Sequence, residues 1–449
     1  MLNVSIMASL RNLPLVSEYG YSAISYFLIV GFCFLMPCAL ISAELATGWP
    51  KSGGIYIWVR EAFGDLWGFF AIWMQWVHNV TWYPAILGFV ATTLGYVFCP
   101  SLVDNKYFIL SIVLISFWSM TLLNLLGMKT SSLFSAIGVI CGTIIPGVIL
   151  IALSYTWLAC GKVSNIHFSM GALLPDFSNL SNIVFLGGLF LSFAGLEVSS
   201  GYAGEVKDPQ KNYPRSIIIA GLIVLAMSML GSLAIGIVVP KKDISLIAGL
   251  MEALRLFLDG FHMSWLLPIL GLLLVIGSSA EVNSWIIGPV KALHTTTIHG
   301  NLPPIFRYTN SRGVPVNLLI FQAIIVTISS CVFLSMPTLN GAYWILSALS
   351  TQIYLVMYII MFLAAIRLRY SHPNIPRAYR IPHQHKGIWV VATIGVISSL
   401  FAIFLVFIPP SQINIGSLLF YELFMSIGLV AMIAIPLIIH AFKTKSWHS

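Results

Sequence analysis

Apolar runs of about twenty residues recur along the whole chain, and they constrain its fold more than any other feature. Only 8% of the 449 residues are charged, while 59% are hydrophobic. Soluble proteins carry about 25% charged residues, so this composition cannot cover a water-facing surface. A helix needs about 20 apolar residues to cross the hydrocarbon core of a bilayer. The chain is therefore predicted to be an all-α integral membrane protein.

Counting these runs predicts twelve membrane-spanning helices, which we number spans 1 to 12. Their expected bounds are 1–18, 22–46, 64–98, 106–127, 131–156, 182–203, 215–239, 262–293, 316–336, 338–366, 387–409 and 414–442. The start lacks the basic residues that precede the apolar stretch of a signal peptide. Because span 1 begins almost at Met1, we expect a very short cytoplasmic tail or a natural start further upstream.

The basic residues are distributed unevenly between the two sides of the membrane. If the loop after span 2 is cytoplasmic, sixteen of the 22 Lys and Arg residues lie inside and five lie outside. The five outer residues are Lys106, Lys162, Lys241, Lys242 and Arg255. An excess of Lys and Arg marks the cytoplasmic side, so both termini are predicted to be cytoplasmic. The net charge of +8 then reflects orientation, and we expect no nucleic acid partner. The oligomeric state is left open.

The chain carries few signs of a metal, cofactor or enzyme site. Its six cysteines form no C-x-x-C pair and no metal-binding spacing. Cys99 and Cys160 lie near the outer ends of two spans, but we expect packing cysteines rather than a disulfide. There is no phosphate-binding G-x-x-x-x-G-K-[S/T] motif, and the acidic residues of the short loops are scattered. We therefore expect no metal and no cofactor.

Spans 1 and 6 are predicted to be discontinuous. Span 1 contains Arg11, Asn12 and Pro14, and span 6 contains Gly195 and Glu197. Gly- or Pro-interrupted spans at matching positions of two halves indicate the midplane site of a transporter. The spacing of five spans predicts two inverted five-helix repeats, over 1–156 and 182–366. Two additional helices over 387–442 complete the expected fold.

The glycines of span 6 allow two interpretations. Small residues let helices approach closely, and we expect this packing role for Gly187 and Gly188. A carboxylate in the middle of a span is costly without a specific role. We therefore expect the chain to break at Gly195, beside Glu197.

Several segments carry a family likeness. They are "AELATGWPKSGGIYIWVREAFG" (43–64), "FAGLEVSSGYAGEVKDPQKNYPRSI" (193–217) and "LRYSHPNIPRAYRIP" (368–382). In order along nearly the whole chain, they resemble the amino acid–polyamine–organocation superfamily of permeases, nearest to the bacterial glutamate/GABA antiporter-like group. The resemblance implies a LeuT-like fold of two inverted five-helix repeats plus two C-terminal helices. It also implies alternating-access transport of amino acids or amines across the bacterial inner membrane.

The same resemblance implies a set of substrate-binding positions. They are Ser5, Ile6 and Met7 in span 1; Met74, Gln75 and Asn79 in span 3; Leu191, Phe193, Ala194 and Gly195 in span 6; Glu281 and Trp285 in span 8; and Ser350 and Tyr354 in span 10. Glu197 matches an acidic position linked to proton or pH response. Leu191 departs from the arginine/agmatine antiporter pattern, which has a tryptophan there, so one wall of an aromatic cage is missing.

Arg11 falls where the glutamate/GABA antiporter pattern has a tyrosine. An arginine within a span is costly unless it is paired or hydrated, and its planar fork suits a substrate carboxylate. It would then bind substrate, or be held by Glu281 or Glu197 until substrate replaces it. The alternatives are a fixed structural ion pair, a gate contact, or a side chain that reaches toward the outer interface.

The other polar residues allow similar alternatives. Glu281 lies one helical turn before Trp285 and shares its face, and Trp285 either packs or contacts a substrate ammonium. Glu197 either carries a proton or stays ionised. We expect His78 to be a packing or hydrogen-bonding histidine, and Glu44 to be a structural residue tied to a cytoplasmic loop.

The leading functional prediction is a secondary amino acid transporter, in particular an exchanger. A proton-coupled uptake symporter is the alternative. Some proton-coupled relatives have a lysine in span 5, and its absence here favours exchange. An integral membrane enzyme and a sensor without transport activity are further alternatives. Glu422, in span 12, lies outside the repeats and is predicted to have no transport role.

Overall fold

A computed structural model describes residues 9–50, 53–178, 180–198, 208–444 and 447. In this part of the chain all regular elements are helical, and ten segments are long and apolar enough to cross a membrane. These segments are Gly20–Gly48, Asp65–Phe98, Lys106–Leu125, Leu133–Ala159, Pro214–Val238, Ser264–Ile298, Val316–Ser335, Leu339–Ser371, Gln384–Leu405 and Leu418–Ala441. Each overlaps one predicted span, so the predicted all-α membrane fold is confirmed.

Spans 2 and 5 each contain one π-helical turn, at Gly31–Leu35 and Ile140–Ile144. The α-helices around these turns and in spans 7 to 9 have the following bounds: Ala23–Val30, Met36–Gly48, Met128–Val139, Ile145–Ala159, Pro209–Val238, Leu267–Ile298, Val316–Ser330 and Val332–Ser335. Shorter helices lie in the loops, at Ile55–Phe63, Met170–Leu173 and Gly249–Gly260. Spans 2 and 5 thus cross as helices that are locally widened rather than broken.

The two remaining predicted spans are the ones expected to be interrupted. Span 1 has a 3-10 turn at Leu10–Asn12, followed by an α-helix at Leu13–Ser17. Pro14 lies in the first turn of that helix, where its missing N–H needs no partner. The proline therefore starts a helix. The predicted positions Ser5, Ile6 and Met7 lie outside the described residues.

Span 6 is broken at Gly195, as expected. Its helices at Leu180–Ile183 and Leu186–Phe193 are followed by extended backbone at Ala194. Gly195 has φ 113°, a conformation that favours glycine. Its N–H donates to the hydroxyl of Tyr358 at 2.6 Å, so span 10 satisfies a backbone group that the helix no longer can.

The other two glycines of span 6 are packing residues, also as expected. A Cβ atom on Gly187 would lie 2.1 Å from Val406 Cγ1, and one on Gly188 would lie 2.8 Å from Leu15 Cδ1. A larger side chain at either position would push the neighbouring helix away. The close approach of span 6 to spans 1 and 11 therefore depends on these glycines.

Spans 3 and 10 form the centre of the molecule. In their most apolar stretches 83% and 78% of the residues are buried, against 11% in span 12. Because span 12 is apolar and exposed, it faces lipid. Span 10 is also the helix that contacts the break in span 6, through Tyr358 and Gly195.

The end of span 2 is tied to the loop after span 10. Glu44 accepts hydrogen bonds from Arg369 Nε at 2.8 Å and from the backbone N–H of Ile381 at 2.8 Å. Arg377 Nε lies 3.7 Å from the same carboxylate, and Arg369 is fully buried. These buried contacts are consistent with the prediction that Glu44 is a structural residue that binds a loop.

Candidate functional site

A small cavity lies where span 1 and the broken span 6 meet spans 3, 8 and 10. Its lining residues are Ser9, Arg11, Asn12, His78, Trp82, Leu191, Ser192, Ala194, Glu281, Trp285 and Tyr354. Apart from the half-buried Ser9, all of these side chains are buried. The cavity volume is about 20 Å³, room for about one water molecule. The cavity is therefore too small for an amino acid, and a larger molecule requires its walls to move apart.

Arg11 is buried against aromatic rings. Its exposed fraction is 1%, and its guanidinium carbon lies 5.1 Å from the centroid of Trp82. Nη1 donates to the hydroxyl of Tyr343 at 3.2 Å. Nε has no hydrogen-bond partner among the described residues, where no carboxylate lies within 4 Å of the guanidinium. A buried cation that no carboxylate contacts directly is costly, so this site favours an anionic group.

Asn12 is linked to Arg11 through the hydroxyl of Tyr343. Its amide nitrogen donates to Ser192 Oγ at 2.8 Å, and its amide oxygen accepts from the Tyr343 hydroxyl at 2.9 Å. Tyr343 also accepts from Arg11. Spans 1, 6 and 10 are thus joined by side-chain hydrogen bonds beside the break in span 6.

Aromatic rings form another wall of the cavity. His78 is stacked on Tyr354, with 3.8 Å between ring centroids and 9° between ring planes. Trp285 meets His78 edge-on at 5.5 Å and lies 5.8 Å from Trp82. Such a wall suits the apolar part of a small molecule, and its ring faces suit a cation.

Glu281 supplies a carboxylate to the same cavity. It is 3% exposed and lies one helical turn before Trp285. Arg11 also lines the cavity, but no Arg11–Glu281 ion pair within 4 Å is present in the described part of the chain. The cavity therefore holds a cation and a carboxylate that are not paired directly with each other.

Glu197 lies behind the cavity wall. Its carboxylate accepts from Gln75 Nε2 at 2.9 Å and from the hydroxyls of Tyr354 and Tyr358. It is 1% exposed. Since Tyr354 also lines the cavity, its hydrogen bond connects Glu197 to the cavity wall.

The structure brings some of the predicted residues together and leaves others elsewhere. Around the cavity lie Arg11, Leu191, Ala194, Glu281, Trp285 and Tyr354. Gln75 donates instead to Glu197, and the N–H of Gly195 donates to Tyr358. Ser350 lies against His78. Met74, Asn79 and Phe193 are buried but do not line the cavity.

Sequence reasoning missed Ser9, Asn12, His78, Trp82 and Ser192 as lining residues. The spacing of His78 and Trp82 was an available signal, because residues four apart share one face of a helix.

The described residues contain no group of three or more His, Cys, Asp and Glu side chains suited to a metal ion.

Comparison with known proteins identifies the family. The amino acid permease family profile matches residues 1–433. An uncharacterized transporter of Legionella pneumophila is 41% identical over 97% of this chain and 94% of its own length. The glutamate/gamma-aminobutyrate antiporter of Lactococcus lactis is 30% identical over 100% of this chain and 90% of its own. A probable agmatine/putrescine antiporter of the same species is 26% identical over 82% and 77%.

A solved structure has the same fold. MhsT in complex with L-phenylalanine superposes with a TM-score of 0.64 over 90% of this chain and 97% of its own, at 15% identity. This similarity confirms the LeuT-like fold that the motifs implied. Together with the family profile and the relatives, it confirms the resemblance to permeases, and these relatives are transporters rather than enzymes. The chain belongs to the amino acid permease family.

Proposed function

We propose that the cavity is the substrate site of a secondary active transporter that exchanges amino acids, or an amino acid and an amine, by alternating access. One observation carries this proposal: Arg11 and Glu281 line the same small cavity beside the break in span 6 without forming an ion pair. An amino acid zwitterion carries a carboxylate that can pair with Arg11 and an ammonium that can pair with Glu281. The antiporter relatives in Lactococcus lactis favour exchange.

Each charged group has a defined part in binding. The guanidinium of Arg11 binds the substrate carboxylate, because Nε is an unused donor and the fork suits a carboxylate. Glu281 binds the ammonium, and Trp285 packs over it. Leu191 and Ala194, at the break in span 6, contact the apolar part of the substrate.

The contracted cavity represents one closed state of the transport cycle. Two inverted repeats, 1–156 and 182–366, rock about the site and expose it to each side of the membrane in turn. The helices of 387–442 lie outside the moving pair. The protein is located in the bacterial inner membrane with both termini in the cytoplasm, as the excess of Lys and Arg on one side supports.

Glu197 couples transport to protons. Its carboxylate contacts Tyr354, which lines the cavity, so a proton on Glu197 changes the hydrogen bonding of the cavity wall. This observation also favours the second candidate function, proton-driven uptake. The two functions differ in their need for a substrate on the opposite side.

Counterflow in proteoliposomes tests the proposal. Vesicles containing the purified protein are loaded with a mixture of unlabelled amino acids and amines, and uptake of labelled glutamate, GABA, glutamine, arginine and alanine is followed. Exchange predicts uptake only into loaded vesicles. Uptake into empty vesicles that requires an inward proton gradient would support the symporter instead, and the absence of uptake in every condition would contradict both.

Variants assign the activity to the cavity. Arg11→Ala and Glu281→Gln are expected to abolish or strongly reduce counterflow. Glu422→Gln is the matched control, because Glu422 is an exposed carboxylate of span 12 outside the proposed repeats. Its counterflow is expected to equal that of the unchanged protein.

A further inference from the structure

His78 lines the cavity, and its ring is held in one orientation. Tyr354 stacks on one face, and Trp285 meets the ring edge-on. The imidazole is 2% exposed. It is therefore a fixed polar group of the cavity wall, in addition to being the packing residue that its sequence position suggested.

The neighbouring hydroxyl group determines which ring nitrogen carries the hydrogen. Ser350 Oγ donates to the backbone oxygen of His78 at 3.0 Å, which uses its single hydrogen. His78 Nδ1 lies 3.3 Å from the same Oγ. Both contacts of Oγ are hydrogen bonds at the same time only when Nδ1 donates its own hydrogen to Ser350. In a neutral imidazole the other nitrogen, Nε2, then has a lone pair and accepts hydrogen bonds.

Nε2 is buried and has no hydrogen-bond partner among the described residues. A buried acceptor without a partner is unfavourable, and a donor on a bound molecule relieves that cost. Arg11 and Glu281 already match the carboxylate and ammonium of an amino acid. Nε2 is therefore available to accept a hydrogen bond from a third group of the substrate, on its side chain.

We propose that His78 Nε2 selects amino acids whose side chain carries an N–H donor, such as an amide, an amine or a guanidinium. This inference rests on the proposed function of the cavity. An ionised carboxylate side chain would place a second acceptor against the lone pair, and an aliphatic side chain would leave the lone pair unpartnered. A site built around a hydrogen bond rejects ligands that cannot form it.

Glutamine and glutamate are the matched pair of substrates, because they differ only in the side-chain amide or carboxylate. The experiment measures kcat/KM for counterflow of each labelled amino acid at pH 7.5 by the full-length reconstituted protein. We expect a preference for glutamine of about tenfold or more. Methionine, which has similar length and no side-chain donor, is expected to resemble glutamate.

Two variants assign this preference to the ring nitrogen. His78→Phe keeps an aromatic ring against Tyr354 but removes Nε2, and the glutamine/glutamate ratio is expected to fall to within about threefold of one. Ser350→Ala removes the partner of Nδ1 and allows the hydrogen to move to Nε2, so an intermediate ratio is expected. Because Ser350→Ala is a small change, it tests the inference even if His78→Phe does not fold.

The outcomes separate this inference from the proposed function. If the unchanged protein transports amino acids but prefers glutamate or methionine, the inference is wrong and the proposed function stands. An unaltered ratio in both His78→Phe and Ser350→Ala also overturns the inference alone. If no amino acid or amine undergoes counterflow, the proposed function fails and the inference fails with it.

Discussion

The hydroxyl of Tyr354 donates a hydrogen bond to the carboxylate of Glu197, while the ring of Tyr354 forms part of the cavity wall. Gln75 and Tyr358 donate to the same carboxylate, and Tyr358 also accepts from the N–H of Gly195 at the break in span 6. A titratable group therefore contacts both the cavity wall and the residue that holds the broken backbone. A change in the charge of Glu197 therefore alters its hydrogen bonds with both Tyr354 and Tyr358.

Replacing Glu197 is expected to flatten the pH dependence of transport. Glu197→Gln keeps the shape of the side chain but cannot titrate, and Tyr354→Phe keeps the ring but removes the link. If the proposed coupling is correct, Glu197→Gln should transport at nearly the same rate at pH 5 and pH 8. Tyr354→Phe should flatten the profile only in part, because the contact through Tyr358 remains. Counterflow across this pH range measures the effect, with Tyr370→Phe as the control, because Tyr370 is exposed. A profile in Glu197→Gln that matches the unchanged protein would rule out coupling through this group.

Glu18 should make the protein less stable as the pH rises. It lies in the turn between spans 1 and 2, where burial raises its pKa from 4.5 to about 7 and Lys241 partly opposes the shift. Between pH 4.5 and pH 7 the folded protein therefore binds more protons at this site than the unfolded protein. Its free energy of unfolding falls as the pH rises through this range.

The measurement for Glu18 is the melting temperature of the detergent-solubilised protein at pH 5, 6, 7 and 8. The difference between the unchanged protein and Glu18→Gln isolates this group from other titrations. That difference should favour the unchanged protein most at pH 5 and decline up to about pH 7. A constant difference over the whole range would mean that Glu18 has an ordinary pKa.

Disrupting the buried network at Glu44 is expected to destabilise the protein. Glu44→Gln leaves the buried Arg369 without its counterion, and removing one member of a buried ion pair costs about 3–5 kcal/mol. The melting temperature should fall markedly, while the control Glu422→Gln should leave it unchanged. Equal melting temperatures for the two variants would show that the pair adds nothing to stability.

A side chain at the break in span 6 should impair folding and transport. Gly195 has φ 113°, so Gly195→Ala forces a residue with a Cβ into a strained conformation, at a cost of about 1–3 kcal/mol. Gly171→Ala is the control, because nothing lies within 4 Å of a Cβ atom there. Counterflow and melting temperature should both fall in the first variant only. Full activity of Gly195→Ala would show that the break is not required.

The sequence predicted the membrane fold and the break at Gly195 because both follow from the cost of placing polar groups in lipid. Apolar length sets the spans, and a glycine beside the mid-span Glu197 marks the interruption. Pro14 was a weaker guide. It suggested a broken helix, but Pro14 lies in the first turn of the helix Leu13–Ser17, so the proline marks the start of a helix.

The lining residues of span 3 were harder to predict, for a physical reason. Span 3 is buried almost all around, so its hydrophobic pattern does not show which face meets the cavity. The motif indicated Met74, Gln75 and Asn79, whereas His78 and Trp82 line the cavity. One residue turns a helix by about 100°, so Asn79 points away from the face on which its neighbour His78 lies.

Equilibrium binding to the purified protein tests the central claim most directly, namely that Arg11 holds the carboxylate of a substrate in the cavity. The labelled amino acid with the highest counterflow is the ligand, and the proteins compared are the unchanged protein, Arg11→Ala and Glu422→Gln. A hydrogen bond to a charged group contributes about 1.5–3 kcal/mol, so Arg11→Ala should weaken binding about ten- to hundredfold, with Glu422→Gln unchanged. Equal affinities of a folded Arg11→Ala variant and the unchanged protein would place the substrate elsewhere and contradict the account.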